Sequence, residues 1–337
     1  MPRTRRVDCS GPGLRRVRRG RGFSYHEDDG ARIDDPAVVE RINDLAIPPA
    51  WDDVWICADP RGHVQATGID AAGRKQYRYH DDWRAHRDRE KFDRMLRFAR
   101  RLPKLRKRIE SGLAERGLIQ ERVCAAAVSL LDLGLFRIGS ERYEDENESY
   151  GLTTLKVRHV SFDRSGAEFE YPSKSGQVSV HRIEDPVVMP VLKALSRRGA
   201  PDDDLLMFRD GRQWHDLVPE HVNGWIKETI GEQFSAKDFR TWNATVVAAQ
   251  FLAEHDGEAP TKAAKKRIGN ETVREVAKFL NNTPAVTRSS YIDPCVFDRF
   301  DAGETIAASL RRLQRRSRRG RFVDREAIER AVVRLLD

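Results

Sequence analysis

The sequence predicts an α+β protein with a small N-terminal antiparallel β lobe, about residues 1–90, and a larger, mainly helical lobe, 91–337, that holds a short three-stranded sheet. Three observations predict it. Short stretches rich in β-formers, separated by turn residues, fill positions 54–80. From about Arg87 the apolar residues switch to helical spacing, with Phe92, Met95, Leu96 and Ala99 at i, i+3, i+4 and i+7. Helical patterning then continues to the end of the chain, interrupted at 152–183 by three strand-like stretches. At 337 residues the chain is long enough for two ordinary domains.

Taken in order, residues 1–22 read as a basic arm in which Arg5, Arg6, Arg15, Arg16, Arg18 and Arg19 cluster with glycines. Such arms are expected to lack regular structure and to contact phosphates. Asp35-Pro36 opens a short helix through about Leu45, and Pro48-Pro49 ends it. Strands are expected at Val54–Ala58, His63–Thr67 and Gln76–His80, with turns at Asp59-Pro60-Arg61-Gly62 and Ala72-Gly73. A helix begins near Arg87 and is expected to stop at Pro103, with a second over Lys104–Ala114. A third buries Val123, Ala126, Ala127, Leu130 and Leu131, with Gly134 as its C-terminal cap. Three strands follow, Thr154–Val160, Glu168–Tyr171 and Val178–Arg182, the last two joined by the turn Ser173-Lys174-Ser175-Gly176. The rest is expected to be helical, around 185–197, 217–230, 236–253, 260–280, 284–298, 303–316 and 324–336.

Hydrophobic residues are 39% of the chain and charged residues 34%, the balance of a globular protein with a wet surface. The 61 basic residues exceed the 53 acidic ones for a net charge of +8. A basic balance favours a polyanionic partner, nucleic acid ahead of an anionic membrane, although a merely basic enzyme has the same composition. Cys9, Cys57, Cys124 and Cys295 form no CxxC pair and no Cys/His cluster of zinc spacing, which implies a reducing compartment, no disulfide framework and no structural metal. No apolar run is long enough to span a membrane, and the arginine-rich N-terminus lacks the apolar stretch of a secretory signal. The expectation is a cytoplasmic protein, nucleoid-associated if the host is bacterial.

Several side chains are candidates for chemistry. Tyr291 lies after Asn281-Asn282-Thr283-Pro284, where Thr283 and Pro284 make a good N-cap and first helical residue, so Tyr291 is expected two turns into a new helix. A free tyrosine has a pKa near ~10, so a nucleophilic one needs cations around it; an ordinary half-buried helix tyrosine is the alternative. Arg137, between Phe136 and Ile138, needs a fixed anion, either a phosphate or a carboxylate such as Glu146 or Glu148. Arg240 sits beside the apolar stripe of Phe239, Trp242 and Val246, either paired or available to a ligand. Lys174 is at the tip of the expected hairpin, either solvated or delivering an ammonium to a bound substrate.

Together and in order, Arg137, Lys174, Arg240, Asn282 and Tyr291 resemble the catalytic pentad Arg, Lys, Arg, His-or-Asn, Tyr of the poxvirus-type and bacterial type IB DNA topoisomerases. The resemblance extends to Phe136-Arg137-Ile138-Gly139 with Tyr143, to the string from Glu146 to Leu155, to Lys237-Asp238-Phe239-Arg240-Thr241, and to Asn282-Thr283-Pro284 through Tyr291. In the first lobe it includes Gly62 to Gly68 and Gly73 to Tyr79. Coverage runs from about residue 30 to 300. The resemblance implies a two-lobed clamp around double-stranded DNA, acting as a monomer, with Tyr291 as nucleophile and Lys174 as general acid. It also implies DNA contacts from Gln76, Tyr77, Tyr79, Tyr143 and Lys237, with Gln76 the best candidate for a base edge. One departure is Asn282, where the poxviral branch has histidine. An asparagine amide still donates a hydrogen bond but brings no charge and cannot titrate, so cleavage is expected to be weaker or less pH-sensitive.

The residue types fit a reaction without cofactors. Fixed guanidiniums supply positive charge without Mg²⁺, no carboxylate cluster suggests a two-metal site, and no GxxxxGK[ST] loop suggests ATP. The nearest rival is a tyrosine recombinase or integrase, which uses similar chemistry. Recombinases typically carry His-x-x-Arg at the second arginine, where this chain has Lys237-x-x-Arg240, and begin with a helical lobe rather than strands. A DNA-binding protein that has lost the chemistry is the other alternative; the presence of Tyr291, Lys174 and both arginines argues against it.

Overall fold

The structure is a computed structural model that describes residues 4–134, 136–139, 149–173, 176–317 and 324–337. Contacts divide the chain into two compact units, Met1–Phe92 and Asp93–Asp337. The fold is α+β, as the sequence predicts.

The first unit is built on five antiparallel strands, β1 (Leu14–Arg19), β2 (Gly22–His26), β3 (Asp52–Ile56), β4 (Val64–Ile69) and β5 (Lys75–Tyr79), in the spatial order β2-β1-β3-β4-β5. Helix α1 (Pro36–Asp44) is capped by the Asp35 carboxylate on the Ala37 N–H and carries Pro36 in its first turn. It packs Ile42 among Leu14, Ile33, Val54, Ile56 and Ala66. The expected unstructured arm is corrected here: much of it is the β1–β2 hairpin, paired from Arg15↔His26 to Arg19↔Gly22. Leu14 anchors that hairpin in the core. The Arg16 guanidinium is drawn in as well, donating to the carbonyls of Ile47, Pro48 and Trp51 and lying 4.2 Å over the Phe23 ring. A string of arginines can be a strand when the heads find carbonyls and the aliphatic stems cover apolar surface.

In the second unit Pro103 does not end a helix. Helix α2 runs unbroken from Asp81 to Leu113 with the proline inside it. The reason lies in the apolar stripe. Met95, Phe98, Leu102, Leu105 and Ile109 are all buried, so the seam continues on both sides of Pro103. Burying each such side chain stabilises by about 1.5–3 kcal/mol, which together exceeds the ~3 kcal/mol that an interior proline costs. Helix α3 (Gln120–Gly134) is buried along most of its length.

The expected strand at Thr154–Val160 is also corrected. Two short 3-10 turns, Leu152–Thr154 and Val157–His159, occupy it, and the strand β6 is only Val160–Phe162. With β7 (Ala167–Ser173) and β8 (Gln177–Ile183) it makes the three-stranded antiparallel sheet β6-β7-β8. A hairpin with no counterpart in the sequence reading, β9 (Met207–Asp210) with β10 (Gln213–Asp216), turns at Gly211 with φ +56. The remaining helices are α4 (Met189–Arg198), α5 (Pro219–Ile230), α6 (Ala236–Glu254), α7 (Lys262–Leu280), α8 (Pro284–Ser290), α9 (Cys295–Asp301), α10 (Ala307–Ser317) and α11 (Arg325–Leu336). The single helix expected over 284–298 is therefore two. Pro294 disfavours helical backbone at Asp293, and Asp293 then accepts from the Cys295 N–H to start α9. No described helix is long and apolar enough to cross a membrane.

Candidate active site

Helix α7 ends with Asn281 in the left-handed conformation, φ 49 and ψ 57, a conformation asparagine tolerates at a helix end. The chain turns there and enters α8, whose N-cap Thr283 accepts from the Val286 N–H. Tyr291 is not two turns inside a helix but the residue that closes α8, its N–H donating to Thr287 O at 3.0 Å. The backbone beyond it is also held. The buried Thr245 hydroxyl on α6 lies 3.3 Å from the Tyr291 carbonyl and accepts from the Asp293 N–H at 3.2 Å.

Two guanidiniums converge on this turn. Arg137 Nη2 donates to the Asn281 carbonyl at 2.7 Å and to Asn282 Oδ1 at 2.8 Å. Arg240, on α6 and only 6% exposed, donates to the Leu280 carbonyl at 2.7 Å, and its guanidinium carbon lies 5.5 Å from the centre of the Tyr291 ring. Backbone crossing fixes Arg137. Leu152 N–H donates to Arg137 O and Thr153 N–H to Ile138 O, and this pairing presses Gly139 against Gly151. A Cβ on Gly151 would come within 2.3 Å of the Gly139 Cα, so neither position accepts a side chain without moving the arginine's backbone.

The electrostatics follow from burial. Arg240 is pushed down to about 10, first by burial and then by Arg137, with Tyr291 pulling it partly back. It stays protonated at neutral pH but gains from any anion placed between the two arginines. Beneath them, burial and the same arginines drive His181 on β8 down to about 4. Burial raises Tyr171 on β7 to about 12, against the pull of Arg240 and Arg137. Both groups are therefore neutral at pH 7, and the floor of the site does not cancel the guanidinium charge. Asn282 completes the arrangement. Arginine only donates, so the oxygen of the Asn282 amide must face Arg137, and its nitrogen points the other way. That nitrogen is buried and makes no hydrogen bond among the described residues. A buried donor without an acceptor is costly unless a ligand supplies one.

The structure thus brings together Arg137, Arg240, Asn282 and Tyr291. Lys174 and Tyr143 lie outside the described residues, as do Glu146 and Glu148, the carboxylates considered for Arg137. Lys237 is exposed in the first turn of α6, three residues before Arg240. Sequence reasoning missed Asn281. Its side-chain amide donates to Ser173 at 3.1 Å and Ser179 at 3.0 Å, tying the tyrosine's turn to the turn end of the β7–β8 strand pair. The signal in the sequence is an asparagine directly after a helix, a residue that tolerates left-handed backbone.

In the first unit Tyr77 and Tyr79 are 45% and 44% exposed and stacked, ring centres 6.0 Å apart at 15°. Gln76 is on the other face of β5, where its amide donates to Asp70 at 2.8 Å. A concavity lined by Arg6, His63, Tyr79, Trp83, Arg84 and Arg87 adjoins the stacked pair, and sequence reasoning had not assembled it.

Against known families, residues 80–314 match the model of the eukaryotic DNA topoisomerase I catalytic core, and residues 22–70 match the N-terminal domain of bacterial DNA topoisomerase IB. A DNA topoisomerase 1B of Acanthamoeba polyphaga mimivirus is 32% identical over 288 residues, 83% of this chain and 85% of the viral one. DNA topoisomerase 1 beta of Arabidopsis thaliana is 27% identical and DNA topoisomerase 1 of Schizosaccharomyces pombe 29%; each covers 51% of this chain, which spans only 18% and 20% of their lengths. With a catalytic-core match over more than half its length and a relative above 30% identity along most of both chains, this protein belongs to the type IB DNA topoisomerase family.

Proposed function

We propose that the protein relaxes supercoils of either sign in duplex DNA by cutting one strand through a transient 3′-phosphotyrosyl bond at Tyr291. The observation that carries this is the convergence of two guanidiniums on the Leu280–Asn282 turn, one of them against the Tyr291 ring, beside a buried amide donor without an acceptor among the described residues. In the reaction Tyr291 Oη gives up its proton to solvent and attacks the scissile phosphorus in line. The new O–P bond forms as the bond to the 5′-oxygen breaks, and the leaving oxygen takes a proton. Charge accumulating on the non-bridging oxygens is met by Arg137 and Arg240, and by the Asn282 amide, which finds there the acceptor it lacks in the free protein. Lys174, matched by resemblance, is the proton donor. Lys237, one turn before Arg240, supports it and contacts DNA.

One phosphodiester is exchanged for another, so the step needs no external energy. The 5′ end rotates about the intact strand, and the reverse attack reseals it. The exposed Tyr77–Tyr79 pair, with Gln76 and Tyr143, contributes to a DNA grip, and the two units close as a monomeric clamp. A tyrosine recombinase finds no support in the three relatives described above, each named a DNA topoisomerase.

The test is relaxation of negatively and positively supercoiled plasmid in EDTA without ATP. The wild type is expected to relax both, and Tyr291→Phe neither. DNA binding without relaxation by the wild type would leave a binding protein that has lost the chemistry.

A further inference from the structure

We propose that the concavity between α7, α8 and α9 is a phosphodiester-binding site for the stretch of DNA strand flanking the scissile bond. The proposal rests on the nucleic-acid reading above and assigns a part of the chain which that reading does not use. The concavity has a volume of about 680 Å³ and is lined by four cations, Lys262, Lys265, Lys266 and Arg288, against one carboxylate, Asp301, over a floor of Gly269 and Phe297.

Three independent features point to an anion. First, the cations sit where a helix disfavours them. Lys262, Lys265 and Lys266 occupy the first turns of α7, which has no acidic residue in its first turn. The positive end of a helix dipole favours carboxylates there, and each misplaced cation costs a few tenths of a kcal/mol. An arrangement that opposes local stability is the kind a ligand site retains.

Second, charge pairing separates the lining residues from their neighbours. Lys278, elsewhere on α7, pairs with Glu275 at 2.6 Å, and Arg299 on α9 pairs with Glu304 at 2.7 Å. Among the described residues, none of the four lining cations makes an ion pair with a carboxylate. Lys265 donates to the Asp301 backbone carbonyl, and Arg288 reaches Asn270 Oδ1 at 3.4 Å while lying 4.9 Å over the Phe297 ring. The aromatic floor holds the guanidinium in place without neutralising it.

Third, the position suits a strand already held at the tyrosine. Arg288 is on α8 three residues before Tyr291, with its guanidinium turned to Asn270, ten residues along α7 from the Leu280 carbonyl that Arg240 bonds. DNA carries a phosphate every ~3.4 Å of rise on each strand. At a rise of ~1.5 Å per residue, Asn270 lies roughly 15 Å and Lys266 to Lys262 roughly 21–27 Å along α7 from Leu280, so a strand held at Tyr291 would meet Arg288 about four phosphates away and the lysines about six to eight.

The experiment uses the full chain with Lys262→Ala and Lys266→Ala combined, both exposed positions. Duplex affinity is measured between 50 and 200 mM salt. Losing two phosphate contacts should flatten the log–log salt slope by about 1.8, so that the affinity gap between wild type and variant shrinks about twelvefold across that range. The melting temperature should hold or rise, since two cations have left the helix start. On duplexes shortened on one or the other side of the cleavage point, the gap should vanish for one flank only. An unchanged slope, or a gap that persists on both shortened duplexes, overturns the proposal. So does a wild type whose melting temperature is raised by inorganic phosphate at fixed ionic strength while the variant's is not and the DNA slopes coincide, because the concavity then takes a free anion. Adduct formation at Tyr291 by the wild type, scored in the same preparations, reports separately on the enzymatic reading.

Discussion

Replacing Asn281 tests whether the tyrosine's turn positions the hairpin that carries Lys174. The Asn281 amide bonds both Ser173 and Ser179, and Ser173 also donates to the Gln177 carbonyl at 2.9 Å, closing the hairpin one residue before Lys174. Asn281→Gly removes the amide but keeps the left-handed backbone; Asn281→Ala removes it and adds strain. Two buried hydrogen bonds are worth about 1–3 kcal/mol net, and a left-handed alanine costs about 1 kcal/mol more. Urea unfolding should therefore rank wild type above glycine above alanine. Single-turnover cleavage at saturating DNA should slow by about one to two orders of magnitude in the glycine variant, within the ~10²–10⁴-fold that a positioned general acid supplies. A substrate with sulfur in place of the leaving 5′-oxygen needs no proton, so it should restore the wild-type rate. Cleavage at the wild-type rate by the destabilised glycine variant would reduce Asn281 to a purely structural anchor. Failure of the sulfur substrate to rescue would refute the link to the proton donor.

Three further predictions concern stability and are read in urea or heat. Pro103→Ala restores a hydrogen bond inside α2 and should stabilise by about 1–3 kcal/mol; a loss would mean that the helix needs the proline's bend. Arg106 bonds both Asp132 and Glu329, with distances down to 2.7 Å, and Arg325 joins them. Burial pushes Asp132 up, but Arg325 and Arg106 overcome it and hold its carboxyl below the usual range. Arg106→Leu should cost about 3–5 kcal/mol, less at pH 5 than at pH 8, because the stranded carboxylates can protonate at the lower pH. A gap independent of pH would contradict that account. His159 and His181 are both driven to about 4, by burial first and then by neighbouring cations. The unfolded chain protonates below about 6.5 while the folded one stays neutral, so this contribution is complete above pH 6.5 and lost as pH falls toward 4. His181→Phe should remove its share of that slope, and an unaltered pH dependence would show that the ring is not held neutral.

The sequence made the α+β organisation legible because its strongest signals are local: strands between turn residues at 54–80, helical spacing after Arg87, and the paired strands around Lys174. It failed where distant packing outweighs a local rule. Pro103 is a valid stop signal that a continuous buried seam overrides. The arginines of β1 resemble a solvated arm until the acceptors of Arg16, carbonyls more than 30 positions away, are known. Pro294 is a break that the sequence does show, and it leaves Tyr291 at the end of a helix and not inside one. Of the candidate site, Arg137, Arg240, Asn282 and Tyr291 were legible only through their order along the chain. Singly, each has an ordinary structural alternative. That Arg137 would meet the Asn281 carbonyl and the Asn282 amide oxygen could not be read from residue types.

The central claim is that Tyr291 is the atom donor of a covalent DNA bond, and mapping the adduct tests it most directly. The wild type would be trapped in denaturant on a duplex whose cleaved end diffuses away, digested with trypsin, and read by mass spectrometry. Cleavage after Arg288 and Arg299 isolates Ser289–Arg299, in which Tyr291 is the sole tyrosine. The account predicts a nucleotide linked through its 3′-phosphate to that peptide at Tyr291. A nucleotide on a different tyrosine, such as Tyr171 or Tyr143, or linkage through a 5′-phosphate, would contradict it.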